Sequence, residues 1–332
     1  MKHLRSFLRG VYYLLFRPKK GFVKEEKRLV EQYYSDEPSL ANMSETTVIF
    51  MIDGRSVHGG LTDRLRGITT IYQYCKQNGI RFKLKYDYPF QMSDYLEPAV
   101  YDWRIVESEI CYNSNQTAVL VLNDYMLDVR LHKYYLKNFI HKNKGKQIHV
   151  YSNTYFLDKY FSQSFRELFR PSLPLRKAID LNLAHIGKKY VAMVFRFQQL
   201  LGDFKEDGYQ VLEREDQEIL MSKCIEKVRE LHFKNHPNDI VLVTSDSQKF
   251  LNVIVSQLDS VRIIPGKVVH MDHTSGAAFD TYMKSFVDLF LLAKASKIYL
   301  LQTGKMYHSG FAKRAAMIND VTYEEIIFSY DK

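Results

Sequence analysis

The sequence predicts an α/β protein with two Rossmann-like domains, each built on a parallel β-sheet. Apolar, β-branched runs of strand length alternate with helical patterns along most of the chain, which is typical of βαβ units. The chain has 332 residues, 46% of them hydrophobic, which is enough for two cores of ordinary size. Residues 162–183 contain Pro171 and Pro174 and predict the passage between the two domains.

The first predicted domain spans residues 44–165. It begins with a strand at residues 46–52, followed by a helix from Leu61 that stops at Asn78 and Gly79. The remaining predicted elements of this domain are strands at 81–86, 118–122 and 147–151 and a helix at 131–141.

The second predicted domain spans residues 186–332. Its predicted strands lie at 190–195, 239–244, 261–264 and 297–301, and its predicted helices lie near 216–234, 248–258 and 280–295, with a last helix ending at 318. In open α/β sheets, ligands bind beyond the carboxyl ends of the strands. Groups that bind a ligand or react are therefore expected among the residues that follow each strand.

Composition excludes several classes of function. The formal charge is +9, but residues 1–28 contain nine basic and two acidic side chains, so the rest of the chain carries only about +2. That is too little for a protein that binds a nucleic acid backbone. The three cysteines, Cys75, Cys111 and Cys224, form no CxxC pair and are expected to be small core residues in a reducing compartment.

The basic segment at residues 1–28 predicts an amphipathic helix. Its unbroken apolar stretch from Val11 to Phe16 is six residues, too short to span a bilayer, and no cleavage site for a signal peptide follows. We expect this helix to lie on an anionic membrane surface, which makes the protein cytoplasmic and peripheral at the inner face of the cell membrane. The alternative is a helix packed on its own protein with a solvated basic face.

The most informative local pattern is the run from Gly59 to Ile68, GGLTDRLRGI, which follows a predicted strand and begins a predicted helix. Gly59 and Gly60 would let a ligand approach the backbone, and the amides at a helix start point at negative groups. The alternative is a tight turn without a ligand. The pattern is neither a Walker A motif nor GxGxxG.

Further candidates stand near the ends of strands in the second domain. Arg196 closes an apolar strand, where its planar fork can bind a diphosphate or pair with a nearby carboxylate. Asp246 is a candidate for nucleotide binding or for capping the next helix. Asp288 lies in a very apolar helix and needs a partner, such as a ligand or Lys284. Thr303 and Ser309 occupy the loop before the last helix.

The pattern Gly-(Gly)-Leu-x-x-Arg-Leu-x-Gly-Ile resembles the start of the catalytic region of inverting fucosyltransferases, the superfamily of α1,6-fucosyltransferases, protein O-fucosyltransferases and bacterial nodulation or capsular relatives. The resemblance covers roughly residues 44–88 and 187–320. It implies a GT-B fold, with two sheets facing each other across a cleft. It also implies transfer of fucose from GDP-fucose to a polysaccharide or lipid-linked oligosaccharide, as in capsule biosynthesis.

The resemblance also implies roles for individual residues. Arg196, Ser309 or Thr303 would bind the β-phosphate, Asp246 would lie close to the nucleotide, and Asp288 would accept hydrogen bonds from guanine. The glycine turn at Gly59 and Gly60 would complete the nucleotide-sugar site. This chain departs from the family pattern at Val194, where the family has a histidine that helps to hold the guanine, and its loop after residue 301 is longer.

The chain contains no Asp-x-Asp motif, so we expect a transferase without a metal or other cofactor. Asp203, seven residues after Arg196, is the predicted catalytic base, with a loop-capping role as the alternative. The run from His270 to His273 has some metal-ligand character but is better explained as a surface loop. Two other functions stay open, a GT-B enzyme that uses another nucleotide sugar and a non-catalytic module that binds a nucleotide or sugar.

Overall fold

The structure, a computed structural model, describes residues 20–37, 45–124, 127–187, 189–204, 210–266, 268 and 279–329. They form two compact units. The first contains the described residues up to Met92 and Glu97–Arg170, and the second contains Ser93–Leu96 and the described residues from Pro171 onward. The division at Arg170 therefore lies inside the predicted passage at 162–183.

The first unit contains a four-stranded sheet in the order β2-β1-β5-β4, and all of its pairs are parallel. Its elements, with the two short strands β3 and β6 that pair where the chain passes between the units, are α1 (Lys20–Tyr33), β1 (Thr47–Ile52), α2 (Leu61–Gln77), β2 (Arg81–Tyr86), β3 (Leu96–Pro98), β4 (Thr117–Leu122), α3 (Val129–Lys142), β5 (Gln147–Ser152), α4 (Phe161–Leu168) and β6 (Phe169–Pro171).

Strand β1 is buried along its whole length because helices cover both faces of this sheet. On one face, Leu29 of α1 packs with Ile49 and Met51. On the other face, α2 approaches so closely that a Cβ at Gly67 would lie 2.9 Å from the Phe50 ring. Successive side chains of a strand point to opposite faces, which explains this division.

The basic N-terminal segment is only partly described. Residues 1–19, which carry most of the predicted membrane-binding helix, lie outside the described residues. From Lys24 onward α1 packs within the first unit: the Glu26 carboxylate accepts a hydrogen bond from the Val121 amide, and Arg28 donates to the Arg55 carbonyl. For residues 24–28 the structure therefore agrees with the alternative interpretation, a helix packed on its own protein. Among the described residues, no helix has both the length and the apolarity that a membrane span requires.

The second unit contains a five-stranded sheet in the order β11-β10-β7-β8-β9, again with parallel pairs throughout. Its elements are α5 (Leu173–Ile186), β7 (Tyr190–Phe195), α6 (Arg214–Asn235), β8 (Ile240–Ser245), α7 (Gln248–Gln257), β9 (Val261–Arg262), α8 (Phe279–Leu292), β10 (Lys297–Thr303), α9 (Phe311–Ile318) and β11 (Thr322–Phe328).

The strand order reverses beside β7. From β7 the chain proceeds through β8 to β9 on one side, and then returns to form β10 and β11 on the other side. The two strands that begin these opposite runs are direct neighbours, with Val194 paired to Leu300. Ligands of open α/β sheets bind at such a switch point, beyond the carboxyl ends of the strands.

The predicted fold class is confirmed in both units, and the differences lie at the edges. Segment 93–96 and helix α5 belong to the second unit rather than to the regions predicted, because the Tyr95 ring stacks on Phe286 with centroids 4.6 Å apart and Ser172 donates to the Tyr95 carbonyl. Strand β11 was not predicted. It lies at a sheet edge with four of its seven residues exposed, so its sequence lacks the apolar run of a central strand.

Candidate functional site

The switch point of the second sheet brings together candidates from three separate parts of the sequence. Arg196 follows β7, Asp246 follows β8, Thr303 is the last residue of β10, and Ser309 lies in the loop after it. The Arg196 Nη1 atom lies 3.1 Å from the Asp246 Oδ2 atom. The Tyr307 amide donates to the Arg196 carbonyl at 3.2 Å, so the loop after β10 lies directly beside Arg196.

Asp246 organises the turn that follows β7. Its side chain is only 1% exposed, and it accepts hydrogen bonds from the amides of Phe197 at 2.9 Å and Gln198 at 2.7 Å. Burial raises the pKa of the Asp246 carboxyl, while the Arg196 guanidinium and these two amides oppose the rise. The carboxylate is therefore bonded to groups of the protein itself. The residue that caps the next helix is Ser247, whose hydroxyl accepts from the Phe250 amide.

Arg196 is held on two sides and is still partly accessible. Besides its contact with Asp246, its Cζ atom lies 4.5 Å from the centroid of the Phe204 ring. The side chain remains 18% exposed. Both predicted roles of Arg196, binding a diphosphate and pairing with a carboxylate, are thus compatible with the geometry. A guanidinium has five N–H donors and can bind a carboxylate and an anionic ligand together.

Ser309 and Thr303 have different surroundings. Thr303 is almost fully buried, and its hydroxyl donates to the Phe328 carbonyl at 2.7 Å, which ties β10 to β11. Ser309 precedes α9, and its hydroxyl accepts from the Phe311 amide at 3.2 Å. The N-cap residue of this helix is Gly310, which has no side chain of its own to cap the helix. The geometry favours Ser309 over Thr303 as the hydroxyl beside the helix start.

Asp288 lies in an ion pair inside α8. Lys284 Nζ is 2.9 Å from Asp288 Oδ1 and 2.7 Å from Oδ2, and both side chains are 4% exposed. Burial raises the pKa of the Asp288 carboxyl, and Lys284 opposes that effect. The ion pair with Lys284, one of the two partners predicted from the sequence, is thus present. A guanine base could donate hydrogen bonds to this carboxylate only in competition with Lys284.

Asp203 caps α7 from a neighbouring loop. Its Oδ2 atom accepts from the Ser247 hydroxyl at 3.0 Å and from the Lys249 amide at 2.7 Å. Its Oδ1 atom is buried and has no hydrogen-bond partner among the described residues. The capping role is therefore present, while one carboxylate oxygen is left over for other chemistry.

In the first unit, packing accounts for most of the glycine motif. Gly59 has φ +72°, and a Cβ there would lie 3.1 Å from the Asp63 side chain. A Cβ at Gly67 would lie 2.3 Å from the Ser152 carbonyl oxygen. Arg64 is fully buried and donates to the carbonyls of Gly59 at 2.8 Å and Tyr88 at 2.7 Å. Gly60 is the exception, because a Cβ there would meet nothing within 4 Å.

The imidazole of His58, beside this turn, was not singled out from the sequence. Its Nε2 atom accepts a hydrogen bond from the Gly54 amide at 3.0 Å. Burial, together with the Arg64 charge, lowers the pKa of His58 to about 3. The imidazole is thus neutral near pH 7, and its approach to the Asp53 carboxylate at 3.9 Å is not an ion pair. Sequence spacing carries no signal for such burial.

The described residues contain no group of three or more histidine, cysteine, aspartate or glutamate side chains that could hold a metal ion. The run from His270 to His273 lies outside the described residues, so its interpretation as a surface loop stays a prediction.

Solved structures of fucosyltransferases have a similar fold. NodZ α1,6-fucosyltransferase soaked with GDP-fucose is 12% identical to this chain, with a TM-score of 0.54 covering 83% of this chain and 93% of that chain. A variant of Arabidopsis thaliana FUT1 in complex with GDP is 15% identical, with a TM-score of 0.54 covering 98% and 79%. NodZ from Bradyrhizobium is 14% identical, with a TM-score of 0.51 covering 82% and 92%.

No family model matches this sequence, and a search of curated proteins found no match to it. At such low identities the structural likeness shows the fold. The chain has the α/β fold of GT-B fucosyltransferases, and the resemblance predicted from the glycine motif and the strand ends is confirmed at that level.

Proposed function

We propose that this protein is an inverting glycosyltransferase that transfers fucose from GDP-fucose to a glycan without the help of a metal ion. The observation that carries the proposal is the meeting of Arg196 with the loop after β10 at the switch point of the second sheet. Cationic and helix-end groups collect there, where an open α/β sheet binds its ligand. The solved structures with a similar fold include complexes with GDP and GDP-fucose.

In this proposal, Arg196 and the start of α9 near Ser309 stabilise the diphosphate as the sugar leaves. Charge builds on the diphosphate as the bond to the anomeric carbon breaks, so groups already positioned there lower the barrier. One arginine at about 4 Å from a phosphate contributes at most about 4 kcal/mol at an effective dielectric constant of 20. Asp246 acts through Arg196, since it orients the guanidinium and the turn after β7.

Asp203 stays the proposed base for the acceptor hydroxyl. The Oδ1 atom, which has no partner among the described residues, supports this role, because a base needs an unbonded oxygen to receive the proton, and we expect acceptor binding to uncover this buried atom. The other oxygen holds the start of α7 and would keep the carboxylate in place.

Gly60 stays a proposed part of the donor site, because the space beside it is open.

A second candidate, the same fold with another nucleotide sugar, is favoured by two observations. Val194 stands where the family has a guanine-binding histidine, and this side chain is buried in the sheet. Asp288, the other residue expected to bind guanine, is paired with Lys284. Both expected contacts to the guanine base of the nucleotide are therefore weakened, whereas the phosphate-binding groups are present.

The nucleotide can be identified by calorimetry of the full chain with GDP, UDP, CMP and ADP. We expect GDP to bind, to raise the melting temperature and to be released from GDP-fucose when a glycan acceptor is added. Preferential binding of UDP or ADP would favour the second candidate. Binding of GDP without transfer to any acceptor would favour a non-catalytic module, and binding of none of the four would refute the proposal. Full loss of transfer with EDTA and recovery with manganese would refute metal independence.

The proposed acceptor is a polysaccharide or lipid-linked oligosaccharide made at the inner face of the cell membrane, as for a capsule. The +7 charge of residues 1–28 supports this location, since each Lys or Arg near an anionic surface contributes about 1 kcal/mol. We expect the full chain to sediment with anionic liposomes at low salt and a chain that starts at Phe22 to stay in solution. Equal sedimentation would refute the membrane role.

A further inference from the structure

We propose that Gln198 is a diphosphate-binding residue whose side-chain amide donates a hydrogen bond to a non-bridging phosphate oxygen of the bound nucleotide. This inference rests on the proposed function, because it assumes that a nucleoside diphosphate binds beside Arg196. It adds a neutral donor to the charged one, at a position that no sequence pattern singled out.

The backbone of Gln198 is in an unusual conformation for its residue type. It has φ +53° in a turn closed by the Leu200 amide and the Phe197 carbonyl. Glycine and asparagine adopt this conformation readily at the second position of a turn, whereas longer side chains rarely do. The other non-glycine residue with positive φ in the described chain is Asp320, which follows the end of α9, a common place for this conformation.

The side chain of Gln198 is buried but not bonded. The residue is only 2% exposed, yet its side-chain amide has no hydrogen bond among those of the described residues. Among all the described residues of both units, the fully buried side-chain polar atoms without a partner belong to Arg55, Arg66, Tyr112 and Asp203. Because Gln198 is not among them, the small exposed area of this residue includes the tip of its amide. A buried polar group that has no partner within the protein is suited to a ligand.

The charges around Gln198 explain why a neutral donor is useful there. The Arg196 guanidinium is largely balanced by Asp246, which also takes the amides of Phe197 and Gln198. These backbone donors are therefore not available for phosphate oxygens. The amide of Gln198, two residues after Arg196, is the next side-chain donor in this turn.

The test is calorimetry of the full chain and its variants with two probes, GDP and guanosine. Gln198→Met keeps the shape of the side chain and removes the donor, so we expect GDP to bind about tenfold or more weakly, as for loss of a hydrogen bond to a charged group. Gln198→Glu should weaken GDP binding further, because a carboxylate repels the diphosphate. Guanosine binding should be the same in all variants.

The control is Gln257→Met, which makes the same change at an exposed position at the end of α7 and should bind GDP normally. If Gln198→Met fails to fold, Gln198→Asn keeps an amide that suits positive φ but retracts it, and should also weaken GDP binding.

Normal GDP affinity in folded Gln198→Met would overturn this inference and leave the proposed function intact. Equal losses for GDP and guanosine would overturn it too, because they indicate a structural role. If the unmodified protein binds another diphosphate, that nucleotide and its nucleoside replace the two probes. If it binds no nucleoside diphosphate, both the proposed function and this inference are refuted.

Discussion

The two units present the same local feature, a strand followed by a turn and a helix, with different consequences. In the first unit, the motif from Gly59 to Ile68 is dense in residues typical of a binding site. Packing explains most of them, because Gly59 has positive φ, Gly67 lies against a carbonyl and Arg64 donates to two carbonyls. In the second unit, Arg196 remains partly accessible beside a loop from another strand. A strong motif can thus describe a close contact between elements, while ligand binding depends on the strand order.

Replacement of Arg196 should have the largest effect on activity. Arg196→Ala should lower donor-saturated turnover about a hundredfold or more, because it removes a group that acts mainly on developing charge. It should also destabilise the fold, since the buried Asp246 carboxylate loses its cation.

Arg196→Lys separates these two effects. A lysine restores a charge near Asp246 but lacks the two-pronged geometry, so we expect stability to recover and turnover to stay low. Steady-state rates and thermal unfolding of both variants provide the measurement. Near-normal turnover in Arg196→Ala would show that the switch point is not where the reaction occurs.

Asp203 tests whether a capping carboxylate also reacts. Asp203→Asn keeps an oxygen that can accept from Ser247 and Lys249, so stability should change little. If Asp203 is the base, turnover should fall about a hundredfold while GDP affinity is unchanged. Asp203→Ala should in addition lose about 1 kcal/mol of stability. Full turnover in Asp203→Asn would leave this residue with its capping role alone.

Two glycines of the first unit, Gly67 and Gly60, test whether packing explains the glycine motif. Gly67→Ala should destabilise the protein by about 3 kcal/mol, because its Cβ would lie 2.3 Å from a backbone oxygen. Gly60→Ala should leave stability within about 0.5 kcal/mol, since nothing lies within 4 Å. Chemical denaturation measures both values. If the turn also binds the donor, Gly60→Ala should lower turnover, and normal turnover would show that its prediction as a donor residue is wrong.

The two units should also differ in their response to acid. Burial lowers the pKa values of His58 and His149, both in the first unit, to about 3. Between pH 6.5 and about 4 the unfolded chain therefore binds more protons at these sites than the folded one. As the pH is lowered through this range, the free energy of unfolding decreases by up to about 1.4 kcal/mol per pH unit for each histidine.

In the second unit, Asp246 and Asp288 have raised pKa values and do not add to this loss of stability in acid. Hydrogen exchange at pH 7 and pH 5 should thus show that the first unit opens first. His149→Gln should reduce the difference. Equal acid sensitivity in both units would contradict the assignment of these buried neutral imidazoles.

Much of the fold was predictable from the sequence because it depends on local pattern. The apolar run Tyr190–Phe195 and the alternating run Arg81–Tyr86 have the bounds that were predicted, because a central strand is apolar throughout and an edge strand is apolar at its buried positions. The alternation of strand and helix patterns also predicted that Arg196 and Asp246 follow the ends of strands. Because the strands are parallel, these ends lie at the same edge of the sheet. Edge strand β11 escaped prediction because it is exposed and carries little of this pattern.

The sequence by itself determined two parallel-sheet units and the approximate positions of the candidate groups, because hydrophobic periodicity and turn residues act over short distances along the chain. Only the tertiary structure decided which partner each polar group has. Asp246 accepts from the turn after β7, Thr303 donates to Phe328, and the Gln198 side-chain amide has no partner in the part of the chain that the structure describes. These outcomes depend on the order in which strands assemble, which joins residues about 25 to 110 positions apart, a range at which spacing in the sequence carries no information.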